Sequence, residues 1–155
     1  MPIYQCAFQK GLVTEEMKPK LAKAITDAHV DATGAPPVFV HVYFNELPPG
    51  IAYSASEPDT KLSGIQGAIR AGRTLDQKQA LIKRIVDSWS EITGQPKKQI
   101  LAGLTEIDSD ITMEYGLILP HPGGETEWFA KNAEALDGIS APASDPGHAQ
   151  PPDRQ

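Results

Sequence analysis

Five residues in this chain carry chemistry that could be combined into one site: Pro2, His29, Arg70, Arg73 and Glu114. Pro2 directly follows Met1, and methionine is usually removed ahead of so small a residue. Removal would expose a secondary amine that can be protonated, unlike any other backbone nitrogen. An α-amino group ordinarily titrates at ~8. Burial or neighbouring cations would lower that value into the range where one group both takes and returns a proton. Arg70 and Arg73 are separated only by Ala71 and Gly72. Two guanidiniums so close repel each other, so an anion between them is welcome, and the planar fork favours a carboxylate. Just beyond them, Thr74 reads as a helix cap, which adds unpaired backbone donors. His29 sits at the edge of an apolar helical stripe, and Glu114 lies in Glu114-Tyr115-Gly116 beyond the last long strand. Each has a plainer account: a common Met-Pro start, two solvated arginines, a satisfied half-buried histidine, a loop carboxylate.

The elements that must bring these residues together come from a duplication. Thr14 to Leu47 lies over Thr74 to Ile107 without a gap, at an offset of sixty positions. Thr14/Thr74, Lys18/Lys78, Leu21/Leu81, Lys23/Lys83, Ile25/Ile85, Asp27/Asp87, Thr33/Thr93, Gly34/Gly94, Pro36/Pro96 and Glu46/Glu106 coincide. A fixed period means one supersecondary unit used twice. Each copy reads as strand, helix, strand. The first has a strand over Ile3 to Phe8, a helix capped by Thr14 with apolar residues at helical spacing, and a stop at Gly34 and Pro36. An alternating strand over Val38 to Phe44 completes it. Pro19 is tolerable because it falls in the helix's first turn. The second has a strand over Ile65 to Arg70, a capping box of Thr74 and Gln77, a stop at Gly94 and a strand over Ile100 to Glu106. Strands joined through such helices pair in parallel with a right-handed crossover. The expected fold is α/β (α+β): two tandem β-α-β units forming a four-stranded mixed sheet with both helices on one face.

The expected organisation is one domain over 1–135, with repeats at about 2–60 and 61–125, and a flexible Ala/Pro/Asp/Ser-rich tail over 136–155. Two helices cover only one face of the sheet, while the strands carry apolar residues on both, so an oligomer is expected. A formal charge of −6 and a pI near 5.1 disfavour nucleic acid as a partner. One cysteine, Cys6, excludes an internal disulfide framework, and no apolar run approaches the ~20 residues that span a bilayer. A cytoplasmic enzyme with no membrane partner is the expectation. His41, His121 and His148 form no metal-ligand spacing, and neither a phosphate-binding glycine loop nor a nucleophile elbow occurs. No cofactor and no metal are expected.

A β-α-β repeat that starts at Met1-Pro2 resembles the tautomerase superfamily, whose members use an N-terminal proline as catalyst. Within it the chain is similar to the cis-3-chloroacrylic acid dehalogenase branch. The matching stretches are Ala24-Ile25-Thr26-Asp27-Ala28-His29, Gly72-Arg73-Thr74, Met113-Glu114-Tyr115-Gly116 and Glu127-Trp128-Phe129. The resemblance runs from Pro2 to Phe129 and implies a homotrimer. It implies Pro2 as the proton-transfer group and Arg70 and Arg73 as holders of a substrate carboxylate. His29 would assist in that binding, and Glu114 would orient an attacking water. It also implies a tyrosine in the last long strand where this chain has Gly103, which should widen the pocket and weaken water addition. The reading favoured is a tautomerase of a small 2-oxo or 2-hydroxy-unsaturated acid such as phenylpyruvate, with weak dehalogenation or hydration. The alternatives are a cis-3-haloacrylate dehalogenase or hydratase, and a non-enzymatic protein-binding module.

Overall fold

A computed structural model describes residues 1–139 of the 155. Its centre is a four-stranded mixed sheet in which, in spatial order, His41–Leu47, Ile3–Gln9, Ser63–Arg70 and Ile100–Ile107 lie side by side. The first unit comprises β1 (Ile3–Gln9), α1 (Met17–Thr33) and β2 (His41–Leu47). A small hairpin, β3 (Tyr53–Ser54) with β4 (Glu57–Pro58), leads to the second unit: β5 (Ser63–Arg70), α2 (Leu75–Thr93) and β6 (Ile100–Ile107). Within each unit the strands are parallel, Ile3 beside His41 and Ser63 beside Ile100. The units meet through an antiparallel β1–β5 pair centred on Gln5 and Gln66. The α+β architecture expected from the repeat is therefore the one observed.

Alternation along the central strands sorts the two faces. Tyr4, Cys6 and Phe8 of β1 and Ile65 and Ile69 of β5 point to one side. There they pack with Leu21, Ile25 and Ala28 of α1 and Leu81, Ile85 and Trp89 of α2. The opposite face carries Gln5, Gln66, Tyr43 and Leu101, all exposed, with Tyr43 at 54% and Leu101 at 63%.

Local signals differ between the copies. Thr74 and Gln77 form the full reciprocal box at the start of α2. Thr14 does not cap α1 with its side chain; its main-chain oxygen accepts from the amides of Met17 and Lys18 instead, and the helix enters through Glu16. Pro19 is the third residue of α1, where its missing N–H costs nothing. Gly34 and Gly94 both close their helices with φ of 69° and 74°.

Two boundaries move. Val38 to Phe44 is not one strand: Pro37–Phe39 forms a 3-10 turn and β2 begins only at His41. The cause is the Pro36-Pro37 pair, whose carbonyls accept from Phe39 and Val40 at 3.2 and 3.0 Å. Phe39 is thereby turned away from the sheet into a second core with Leu119, Phe129 and Leu136. Leu136, placed at the start of the tail by composition, is 3% exposed in that core. Ile139 packs against the same core, and the remainder of the expected tail, 140–155, lies outside the described residues.

The second core is built by the segment after β6. It runs through the hairpin β7 (Met113–Glu114) and β8 (Leu117–Ile118) to α3 (Glu125–Lys131). Tyr115 and Gly116 at the hairpin tip have φ of 54° and 78°, the pattern of a two-residue turn with both residues left-handed. The Tyr115 hydroxyl donates to the Val38 carbonyl at 2.7 Å and holds this hairpin to the first repeat.

Candidate active site

The edge of the sheet at the start of β1 lies next to the end of β5, because the two strands run antiparallel. That topology alone sets Pro2 near Arg70. Pro2 is fully buried, and its carbonyl accepts the His41 amide at 3.0 Å, extending the β1–β2 ladder by one bond. Met1 is attached in the structure, and its ammonium group pairs with Glu114, at the end of β7. Burial holds that amine below its ordinary value of 8.0, and Arg70 pushes the same way, against the upward pull of Glu114. Burial and a neighbouring guanidinium are the two influences anticipated for a catalytic amine.

His29 faces the same region from α1 and is 3% exposed. Its Nδ1 lies 2.7 Å from the Tyr4 hydroxyl across the sheet–helix interface. Burial first, then the charges of Arg73, Arg70 and the N-terminus, depress its pKa to about 3. A neutral imidazole is the result, able to share a hydrogen bond but not to serve as a cationic anchor. The Tyr4 ring reaches it because Gly67 stands opposite on β5: a Cβ there would fall 2.6 Å from Tyr4 Cε1 and 2.7 Å from Leu104 Cδ2.

The two arginines have different surroundings. Arg70 is 3% exposed; one arm donates to the Pro120 carbonyl at 2.7 Å and the other pairs with Glu125. Its guanidinium carbon lies 5.7 Å from the centre of the Phe39 ring. Arg73 donates to the Thr33 carbonyl at 2.9 Å and has no ion-pair partner among the described residues. Its pKa is lowered by burial and by Arg70, with Glu125 opposing.

All five sequence candidates thus gather around the N-terminal end of β1. Sequence reasoning missed three of their partners. His41 hydrogen-bonds Glu114 through Nε2, and the one hint was its place opposite a leucine, Leu101, in the second copy. Tyr4 likewise faces Gly64 in the repeat, a departure open to the same reading. Glu125 has no counterpart in either repeat and left no signal; only the fold brings it to Arg70.

The space expected at Gly103 is occupied. A Cβ on Gly103 would lie 3.1 Å from both amide atoms of Gln66, so this glutamine fills the position that was to widen the pocket. A depression on the helix-free face, lined by Met1, Ile3, Gln66, Ala68, Thr105 and Ile107, links the N-terminus to that glutamine. His29, Arg70 and Arg73 do not line it.

Comparison with known proteins finds relatives of the whole fold and of a single repeat. The family described as "Putative oxalocrotonate tautomerase enzyme" matches residues 1–133. A probable tautomerase of Streptococcus pneumoniae serotype 4 (strain ATCC BAA-334 / TIGR4) is 46% identical over 61 residues, covering 39% of this chain and 100% of the streptococcal protein. That length is one repeat of this chain. The crystal structure of N1, a member of the cis-3-chloroacrylic acid dehalogenase (cis-CaaD) family, superposes with a TM-score of 0.80 at 31% identity, over 87% of this chain and 99% of N1. The F6 fused 4-OT wild-type asymmetric trimer superposes with a TM-score of 0.70 at 26% identity, over 75% of this chain and 94% of its own.

Proposed function

The chain belongs to the tautomerase superfamily, and from that premise we propose that it interconverts the enol and keto forms of a small 2-oxo acid such as phenylpyruvate, with Pro2 as acid and base. The observation that carries this reading is the N-terminal end of β1, where Pro2 is fully buried and the Met1 amine before it is lowered by burial and by Arg70 and pairs with Glu114, while Arg73 and neutral His29 stand close by. Loss of Met1 moves the free amine onto Pro2.

In the proposed reaction the proline nitrogen takes the proton from the enol oxygen. The O–H electron pair becomes the carbonyl π bond, and the old C=C pair becomes available at C3. The ammonium then returns the proton to C3, so the amine ends as it began and nothing is oxidised or reduced. Arg73, which has no ion-pair partner among the described residues, holds the substrate carboxylate, while Arg70 stays paired with Glu125 beside it. The Tyr4 hydroxyl, kept protonated by burial, donates to His29 Nδ1. That fixes the histidine proton on Nε2, where it can stabilise the developing oxyanion.

Pro2→Ala keeps a processed amine but changes its basicity and placement. Conversion of phenylpyruvate enol should fall by about 10²–10⁴ in kcat/KM, the usual worth of one proton-transfer group. Undiminished turnover by the folded variant would sink the mechanism. Intact mass must show Met1 absent from the active sample, because an amide nitrogen has no basicity.

A second reading, hydration or dehalogenation of a cis-3-haloacrylate, is favoured by one observation: Glu114 is already paired with His41, a two-group arrangement suited to orienting water. Halide release at a rate comparable to tautomerisation would promote this reading over the first.

A homotrimer that covers the helix-free face completes the proposal. Light scattering should return three times the chain mass; a monomer retaining full activity would remove the assembly from the argument.

A further inference from the structure

The pairing of Arg70 with Glu125 has a consequence for the substrate. We infer that Glu125 is the positioning residue that fixes the Arg70 guanidinium and cancels its charge, restricting the site to acids with a single carboxylate. This rests on the carboxylate-binding role proposed above for Arg73.

Glu125 is not a casual neighbour. It is 8% exposed, and both of its carboxylate oxygens are used: Oε1 by Arg70 and Oε2 by the Gly123 amide at 2.8 Å. It stands at the first position of α3, where a negative charge meets the unpaired amides of a helix start favourably. Arg70 is equally constrained, held by Glu125, the Pro120 carbonyl and the Phe39 ring. Neither group can turn away without leaving the other buried and unpaired, which is strongly unfavourable.

Counting charge at this end of the site, Arg70 and Arg73 contribute two positive charges and Glu125 one negative, leaving one to be neutralised. At the other end, Glu114 pairs with His41 and with the Met1 ammonium, and removal of Met1 takes that counter-charge away. His29 supplies no charge, being neutral there. A substrate carboxylate on Arg73 therefore completes the balance. A second carboxylate on the same small molecule would find Arg70 already compensated and Glu114 repelling it. Two free arginines would instead welcome a dianion.

Binding of unreactive acids tests this without turnover. Titration calorimetry on the processed protein should show crotonate, with one carboxylate, binding at least tenfold more tightly than fumarate, with two. In Glu125→Gln, checked for folding by circular dichroism, the crotonate-to-fumarate affinity ratio should fall at least tenfold, because the Arg70 charge is released. A ratio unchanged in the folded variant overturns the role of Glu125. Should the variant not fold, the wild type decides alone: fumarate binding as tightly as crotonate overturns the restriction. Either failure leaves the chemistry of Pro2 standing, whereas a fully active Pro2→Ala would remove that chemistry and leave these affinities intact.

Discussion

The same local motif occurs twice, around His29 near the end of α1 and around Trp89 near the end of α2. In both, a threonine four residues on donates to the carbonyl of the central residue at 2.7 Å, Thr33 to His29 and Thr93 to Trp89. In both, that threonine hydroxyl accepts the next backbone amide but one, from Ala35 and Gln95 at 3.2 and 3.1 Å. The scaffold is conserved between copies while the central side chain is not. Trp89 donates its indole N–H to Gln95 at 2.9 Å, inside the same half of the molecule. His29 shares its hydrogen bond with Tyr4 and lies in the field of two arginines and the N-terminus. One copy is a satisfied structural unit; the other spends its buried position on a polar group that faces charges. The difference teaches that duplication supplied the frame and that substitution at matched positions supplied the groups of the candidate site.

The sharpest way to break this comparison is to remove each central residue. Trp89→Ala deletes a fully buried aromatic and should cost about 3–5 kcal/mol in urea denaturation. A loss below ~1 kcal/mol would contradict its structural role. For His29 the diagnostic is pH. Its folded pKa, about 3, lies below its unfolded value of 6.5. As pH falls, the unfolded chain therefore takes up the proton first. Above pH 6.5 both states are neutral and this group contributes no pH dependence. Between 6.5 and 3 it should remove stability, on the order of a few kcal/mol in all. In His29→Phe this component is gone, so the variant's stability should fall less steeply than the wild type's over that window. Parallel profiles would show that His29 is not held neutral by its surroundings.

The helix starts give the smallest test and the cleanest contrast. Thr74→Ala breaks a reciprocal capping box and should cost about 1 kcal/mol. Thr14→Ala, at the matched position, removes a hydroxyl that caps nothing and should stay within ~0.5 kcal/mol of wild type. Equal effects at the two threonines would mean that the helix starts are alike after all.

The outline of the fold was legible because its signals are local. Gly34 and Gly94, the Thr74–Gln77 pair and the apolar spacing of both helices act through neighbours a few residues apart, and the structure honours each. The boundary missed at Val38 also has a local cause, the Pro36-Pro37 pair, but alternation over Val38 to Phe44 hid it. The sequence could nominate Pro2, His29, Arg70, Arg73 and Glu114 by residue type, and the first four also break from the repeat, facing Leu62, Trp89, Lys10 and Val13. It could not assign partners, since Arg70 and Glu125 are fifty-five positions apart and His41 and Glu114 seventy-three. Nor could it show that Gln66 occupies the space left by Gly103, because that depends on how a flexible side chain settles between two strands.

By itself, then, the amino-acid sequence determined the duplicated β-α-β frame and the identity of the groups able to do chemistry, since helix stops, caps and hydrophobic periods are encoded within a turn or two of chain. Only the tertiary structure decided which charges are compensated. Among the described residues it left Arg73 without an ion-pair partner, buried Arg70 against Glu125 and made His29 neutral, because pairing and desolvation depend on distance in space rather than distance along the chain.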